Sequence, residues 1–486
     1  MTSPLDPPTI LDATDRLAWR ASAHAALDVA LDHLDGIRGR AVWQPVPDQA
    51  KQALLEPLPR EGQGLDDTVA AFRDSVLPYG NGNTHPRFLG WVHGSGTEAG
   101  VVAEMLAAAF NANLGGREHA AIYVEKQVIA WMRDLFGFPK TASGLLVSGT
   151  SMATVIGLAV ARQKVLGQSV RSQGNGAHGL VAYTSAEAHS AIAKAFELLG
   201  LGSECLRRIA SRDDFTLDVG ALEAAIRADR AAGFRPFAVI ATVGTVNTGA
   251  RDDIEAIADI AAREKLWLHV DGAFGALAIL SPRHKDRVKG IGRADSLAFD
   301  FHKWLHVPYD AGCILVRDGA AHLAAFSSRP DYLSGAARGL AAGEPWLCEY
   351  GPDLSRGFRA LKVWMTLKTY GTDALGAAIA ANCDLAQYLG QCVERDEALQ
   401  LMAPVALNIV CFRVCPEGMD ERQRDGLNGE IVMQLHERGI AAPSLTRVRG
   451  RAAIRVNITN HRTTAADLDA LLAGVRMIAD KLSVTS

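Results

Sequence analysis

The polar and apolar positions of this 486-residue chain change period along its length. From about residue 143, short apolar runs alternate with stretches of helical period. Residues 145–147, 181–183, 237–241, 267–270 and 312–316 are apolar and bounded by polar or small residues, which predicts strands. Between them, residues 152–165, 188–199, 219–231 and 252–263 repeat apolar positions at three and four, which predicts helices. Regular strand-then-helix alternation implies a mainly parallel sheet covered by helices.

The flanks read differently. Residues 9–77 predict helices broken by proline-rich links between Pro45 and Pro59, with no strand partner for their apolar faces. A long helical stretch from residue 354 to about 393 leads into a C-terminal part. There the predicted strands 409–414 and 453–458 alternate with the helices 421–438 and 464–482. Residues 167–179 and 329–343 lack a core period and predict surface loops, the second one mobile. Three regions follow: an N-terminal helical dimerisation segment (1–84), a large domain (85–375) and a small α/β domain (376–486).

Composition changes this picture little. The chain is 48% hydrophobic and 21% charged, as in ordinary soluble proteins, and its net charge of −4 carries no long basic block. Nucleic acid is not the expected partner. Seven scattered cysteines without a Cys-x-x-Cys pair suit reduced cytoplasmic thiols, not a zinc site or a disulfide framework. The N-terminus has no cationic start with an apolar run behind it, and no segment has membrane-spanning character, so neither secretion nor a membrane is expected.

Three places carry candidate chemistry. Lys303 follows an apolar run in Asp295-Ser-Leu-Ala-Phe-Asp-Phe-His-Lys-Trp-Leu305. Asp271 ends another, Leu266-Trp-Leu-His-Val-Asp271. The turn Ser148-Gly-Thr-Ser151 joins a strand to a helix. Taken singly, each has an ordinary explanation: a surface lysine, a turn aspartate, an N-cap. Together they suit pyridoxal 5'-phosphate. The amine forms the Schiff base, the carboxylate keeps the pyridine nitrogen protonated, and small hydroxyl residues at a helix start bind phosphate. In an open α/β sheet all three lie beyond the carboxyl ends of strands, where ligands bind.

These residues also carry a resemblance. Ser296, Leu297, Lys303, Trp304, Leu305, Tyr309, Ala311, Ile314 and Arg317 resemble the lysine signature of the group II pyridoxal-phosphate amino-acid decarboxylases, which include the aromatic-L-amino-acid, histidine, glutamate and tyrosine decarboxylases. The similarity runs from His85-Pro86 to Trp364 and more weakly to the C-terminus. It implies a homodimer of fold type I, the aspartate-aminotransferase-like architecture. It also implies cofactor-binding roles for Thr150, Ser151, His189, Thr245, Asp271, Ala273, Asp300, His302 and Lys303. His189 would stack on one face of the cofactor ring and Ala273 on the other. Thr245 lies in Ala241-Thr-Val-Gly-Thr245, where Val246 replaces a second threonine of the aromatic decarboxylases. Asp300 stands where relatives place Asn or Asp on the phosphate side.

Tyr332 matches the proton donor that relatives supply from a mobile loop of the partner subunit; relatives that form aldehydes oxidatively carry Phe there. Trp91, Val92 and His93 match the tip of the substrate pocket. Trp91 could stack on an aromatic side chain, and His93 could bind a polar or acidic one. The expected reaction is decarboxylation of an L-amino acid, aromatic first, with an acidic or other polar one as the alternative. Transamination and oxidative deamination are alternatives with the same cofactor, and Arg455 is the candidate arginine that a transaminase would need. A cofactor-free scaffold would be expected to have lost Lys303, Asp271 or Tyr332, and all three are present.

Overall fold

The structure is a computed structural model and describes residues 11–328 and 335–484. Its centre is a seven-stranded sheet of β2 (Ser143–Val147), β3 (Leu180–Ser185), β4 (Leu206–Ile209), β5 (Arg235–Thr242), β6 (Trp267–Asp271), β7 (Ser296–Asp300) and β8 (Gly312–Val316). The spatial order is β2-β8-β7-β6-β5-β3-β4. Pairings from β4 through β7 are parallel, while β8 runs antiparallel to both its neighbours. The sheet is thus mainly parallel, as the alternation implied.

Both faces are buried. Along β5, Val239 and Ala241 enter one apolar core, and Ala238 and Ile240 enter the other. Strands covered on both sides read as continuous apolar runs, which is why they were visible in the sequence. The covering helices include α6 (Thr150–Leu166), α8 (Ala191–Leu198), α9 (Val219–Ala231) and α10 (Ile254–Glu264). The last starts two residues later than its period suggests. The Asp253 side chain caps it at Ala256 N, and Asp252 is spent on the backbone N–H groups of Leu217 and Thr242. The segment 167–179 is not all loop: Val170–Gln173 forms one helical turn that buries Val170.

A second sheet, in the order β1-β11-β12-β10-β9, builds the small domain. It contains β9 (Leu399–Leu401), β10 (Ile409–Val414), β11 (Ala442–Val448), β12 (Arg451–Asn457) and a two-residue β1 (Phe88–Leu89). Phe88 and Leu89, grouped above with the central region, pair in parallel with Ala442 and Pro443. α13 (Arg359–Glu394) leads from one sheet to the other and is broken at Gly371, whose φ is 74°. α14 (Glu421–Glu437) and α15 (Ala465–Val484) cover the small sheet.

The N-terminal helices α1 (Arg16–Asp35) and α3 (Leu65–Ser75) bury no residue, and Leu17, Trp19 and Phe72 remain exposed. α4 (Glu98–Phe110) likewise exposes Val102, Met105, Leu106 and Phe110.

Candidate active site

The register of the large sheet brings its chemistry to one end. Thr242 pairs with Asp271, Asp300 pairs with Gly312, and Gly312 pairs with Val147. The carboxyl ends of β2, β5, β6 and β7 therefore share one rim. Gly312 is required there: a Cβ would lie 2.5 Å from Gly149 Cα and 2.7 Å from Asp300 Oδ1. A cavity of about 520 Å³ opens at this rim.

Most of the residues singled out from the sequence line it: Trp91, Val92, His93, Thr150, Ser151, His189, Asp271, Ala273, Asp300, His302 and Lys303. They come from segments more than 200 residues apart. Thr245 is the exception. It is fully buried with its hydroxyl against Thr248 Oγ1, 3.1 Å away, and does not reach the cavity wall. Thr242, three residues earlier, does. Its buried Oγ1 has no hydrogen-bond partner among the described residues. Strand position was the overlooked signal, since Thr242 ends β5 as Asp271 ends β6. Tyr332 lies outside the described residues. Arg455 is absent from the cavity lining.

Asp271 is 5% exposed, and its Oδ1 accepts a hydrogen bond from Ala273 N at 3.1 Å. Burial raises its pKa, opposed by the Lys303 charge, the Ala273 N–H and His189. A buried carboxylate facing a cavity is completed by a cation, which a protonated ring nitrogen would supply. Burial lowers the pKa of His189, with Asp271 acting the other way. Its Nδ1 accepts from Ala191 N at 3.1 Å, so the neutral ring carries its proton on Nε2. A neutral imidazole is suited to lie flat on an aromatic ring.

Asp300 explains how a carboxylate is tolerated beside a phosphate position. Its Oδ1 accepts from Thr150 N, the first N–H of α6, at 2.7 Å, and its Oδ2 lies 3.0 Å from Lys303 Nζ. His302 Nε2 is 3.7 Å from the same oxygen. The negative charge is thereby spent on a helix start and on a lysine. The next N–H groups of α6, on Ser151 and Met152, have no intrahelical acceptor, and the buried Thr150 Oγ1 has no partner among the described residues. These donors fit a phosphate.

The outer wall is aromatic. Trp91 and His93 stack with centroids 5.7 Å apart, and His93 stacks on Phe88 at 5.6 Å. Tyr309 meets the edge of His93 at 6.1 Å and lies 4.3 Å from the His302 ring. Burial pushes the Tyr309 phenol up to about 12 and lowers the pKa of His93. Gly94 lets this wall close on the lysine segment, for a Cβ there would lie 1.9 Å from His302 O.

A strand-end carboxylate, a lysine and a free helix start on one rim of a mainly parallel sheet define a pyridoxal-phosphate enzyme of fold type I. The chain belongs to the pyridoxal-dependent decarboxylase family: the model of that conserved domain matches residues 47–415. It is a pyridoxal-phosphate-dependent amino-acid decarboxylase.

Among its relatives, the aromatic-L-amino-acid decarboxylase of Bacillus atrophaeus is 33% identical over 472 residues, covering 96% of each chain. The L-2,4-diaminobutyrate decarboxylase of Rhizobium meliloti is 30% identical over 476 residues, covering 97% of this chain and 94% of its own. The crystal structure of Oryza sativa TDC with PLP and tryptamine superposes with a TM-score of 0.88 at 26% identity, over 97% of this chain and 100% of that one.

Proposed function

We propose that the enzyme decarboxylates an aromatic L-amino acid to its amine. One observation carries this reading: the substrate side of the cavity is a wall of Trp91, His93 and Tyr309, backed by Phe88. A flat apolar side chain is complementary to such a wall. The cavity's only carboxylates among the described residues are Asp271 and Asp300, both on the cofactor side, so nothing there would pair with the cationic side chain of diaminobutyrate. Among the described residues its only lysine or arginine is Lys303, which the cofactor takes, so no lysine or arginine there is left for an acidic side chain.

When bound, the cofactor supplies a ring that takes up the electron pair left as carbon dioxide departs. Lys303 provides the amine that anchors it. Thr150, Ser151 and the start of α6 hold its phosphate, with His302 beside them. Thr242, which pairs with Asp271 across the strands, offers a hydroxyl at the cavity where Thr245 does not. Asp271 stays ionised and holds the ring-nitrogen proton. His189 and Ala273 enclose the ring, and His189 orients the substrate carboxylate without a charge that would retain it. Tyr332 donates the proton to the substrate α-carbon.

The exposed apolar residues of α1, α3 and α4 support a homodimer in which the N-terminal segment (1–84) clasps the partner, beside a large domain (85–375) and a small one (376–486). The free cysteines support a cytoplasmic location. No described helix is long and apolar enough to cross a membrane.

The test is a panel of amino acids, including tyrosine, tryptophan, DOPA, glutamate and 2,4-diaminobutyrate, assayed for carbon dioxide and amine. Aromatic preference is expected, and faster turnover of an acidic or diamino substrate would overturn the reading. Borohydride reduction with peptide mapping should place the cofactor on Lys303; label on another lysine would overturn that assignment.

A further inference from the structure

Arg455 is a costly residue without an assigned role. It sits in β12, 3% exposed, opposite Ser444 of β11 and Cys411 of β10. Among the described residues, none of its hydrogen-bond partners is a carboxylate. Nε donates to Asn247 O at 3.1 Å, and Nη1 donates to Trp91 O at 2.9 Å and Ser444 Oγ at 3.3 Å. Nη2 is buried with no partner among the described residues. A buried cation satisfied only by neutral oxygens is unfavourable, and an apolar side chain of similar volume would pack there at lower cost.

Its partners have something in common. Trp91 stands on the aromatic wall with φ at 45°, a left-handed conformation that a bulky residue holds only when its surroundings impose it. Asn247 follows Val246, which also lines the cavity. Asn247 is itself pinned to the small domain: its Nδ2 donates to Arg447 O at 3.0 Å, its Oδ1 accepts from Thr446 Oγ1, and its carbonyl also accepts from Cys411 Sγ. One guanidinium thus grips a carbonyl from each of two segments of the cavity wall.

We infer that Arg455 is a positioning residue for substrate selection: by tying the Trp91 and Asn247 carbonyls to the small-domain sheet, it holds the Trp91 ring upright as the wall that recognises the substrate side chain. Its Nε and Nη1 are committed to the Asn247 and Trp91 carbonyls and to Ser444 Oγ, and it is absent from the cavity lining, so it does not act as an anchor for the substrate carboxylate. The inference rests on the aromatic-substrate reading for the nature of the side chain, but its test does not. Whichever amino acid the wild-type panel identifies is the substrate used.

The experiment compares Arg455→Lys, Arg455→Met, Trp91→Ala and Arg455→Lys/Trp91→Ala as cofactor-loaded enzymes. A lysine can reach one carbonyl but not both. Removing a charge-assisted hydrogen bond should raise KM about 10- to 100-fold in Arg455→Met and by less in Arg455→Lys, with kcat within about threefold. Cofactor content and the visible absorption band should match wild type. In the Trp91→Ala background, Arg455→Lys should change KM little further. An unchanged KM in Arg455→Met would overturn the inference, as would a fall in kcat alone. Full additivity of the two substitutions would show that Arg455 does not act through Trp91. If neither Arg455 variant folds, the residue serves the fold and the inference also falls. Failure of the wild-type enzyme on aromatic substrates overturns only the proposed substrate.

Discussion

Perturbing the buried pair Glu125–Arg356 should unsettle the phosphate turn from behind. β2 is the edge strand of the large sheet, so the outward peptide groups of Leu146 have no neighbouring strand. Two side chains replace one. Glu125 Oε1 accepts from Leu146 N at 3.1 Å, and Arg356 Nη2 donates to Leu146 O at 2.7 Å. The two side chains meet at 2.5 Å with exposures of 0% and 2%. Arg356 Nη1 also holds Leu114 O at 2.9 Å. Ser148 follows two residues after Leu146.

Glu125→Leu removes an acceptor and strands a buried guanidinium, at about 3–5 kcal/mol. For a cooperative unit of this length the unfolding entropy is about 1 kcal/mol per degree, so the melting temperature should fall by about 3–5 °C. Arg356→Met strands the carboxylate at similar cost. The double variant leaves no buried charge, so its loss should fall short of the sum of the singles by at least about 2 kcal/mol. Urea titration and thermal scans of all four proteins form the cycle. Cofactor affinity should weaken in each single variant, because the end of β2 carries the turn that holds the phosphate. Additive losses would refute the reasoning, as would single variants that melt with wild type.

Asp271→Asn should fold normally and lose about three orders of magnitude in turnover. Adjacent opposite charges at an effective dielectric of 20 are worth about 4 kcal/mol, and a neutral amide forfeits this; near-normal turnover would remove Asp271 from its role. Tyr332→Phe should bind substrate and cofactor but shift product from amine towards aldehyde and peroxide under air. An unchanged amine-to-aldehyde ratio and rate would show that the α-carbon proton comes from elsewhere. Stability should fall as pH drops from 6.5 towards 4, because burial lowers His269 to about 3 and His322 to about 4. Their folded pKa values lie below the unfolded one, so the unfolded chain takes up protons first, at about 1.4 kcal/mol per pH unit for each net proton. Asp252, pushed up to about 6 by burial, opposes one of these protons below pH 6. A urea midpoint that stays flat between pH 7 and 5 would contradict this.

The parts of the site that were legible in the sequence are those fixed by the chain's own local pattern. A parallel strand buried on both faces must read as an apolar run, and ligand groups must follow its carboxyl end, so Asp271, Lys303 and the Ser148–Ser151 turn could be located without coordinates. His189 and the tip Trp91-Val92-His93 have no such pattern and were reached only through the family resemblance.

What stayed hidden depends on pairing between distant segments. The two-residue β1 exists because Ala442 and Pro443 lie beside it, and no periodicity can be read in two residues. Thr242 and Thr245 are equivalent in composition. The register of β5 against β6 sets Thr242 beside Asp271 at the cavity, while Thr245, past the end of β5, turns onto Thr248. An aspartate beside a phosphate is tolerable only with partners to take up its charge, and those of Asp300, Thr150 N from 150 residues upstream and Lys303 Nζ, are set by the fold.

Arg455 is the sharpest instance. Read along the chain, an arginine in a small-domain strand matches the requirement of a transaminase for a carboxylate anchor. In the fold its main-chain acceptors are the carbonyls of Trp91 and Asn247, more than 200 residues away on both counts. The identity of a side chain limits what it can bind. Which acceptors it meets is decided by the backbone that arrives beside it, and here that backbone holds Arg455 away from the cavity lining.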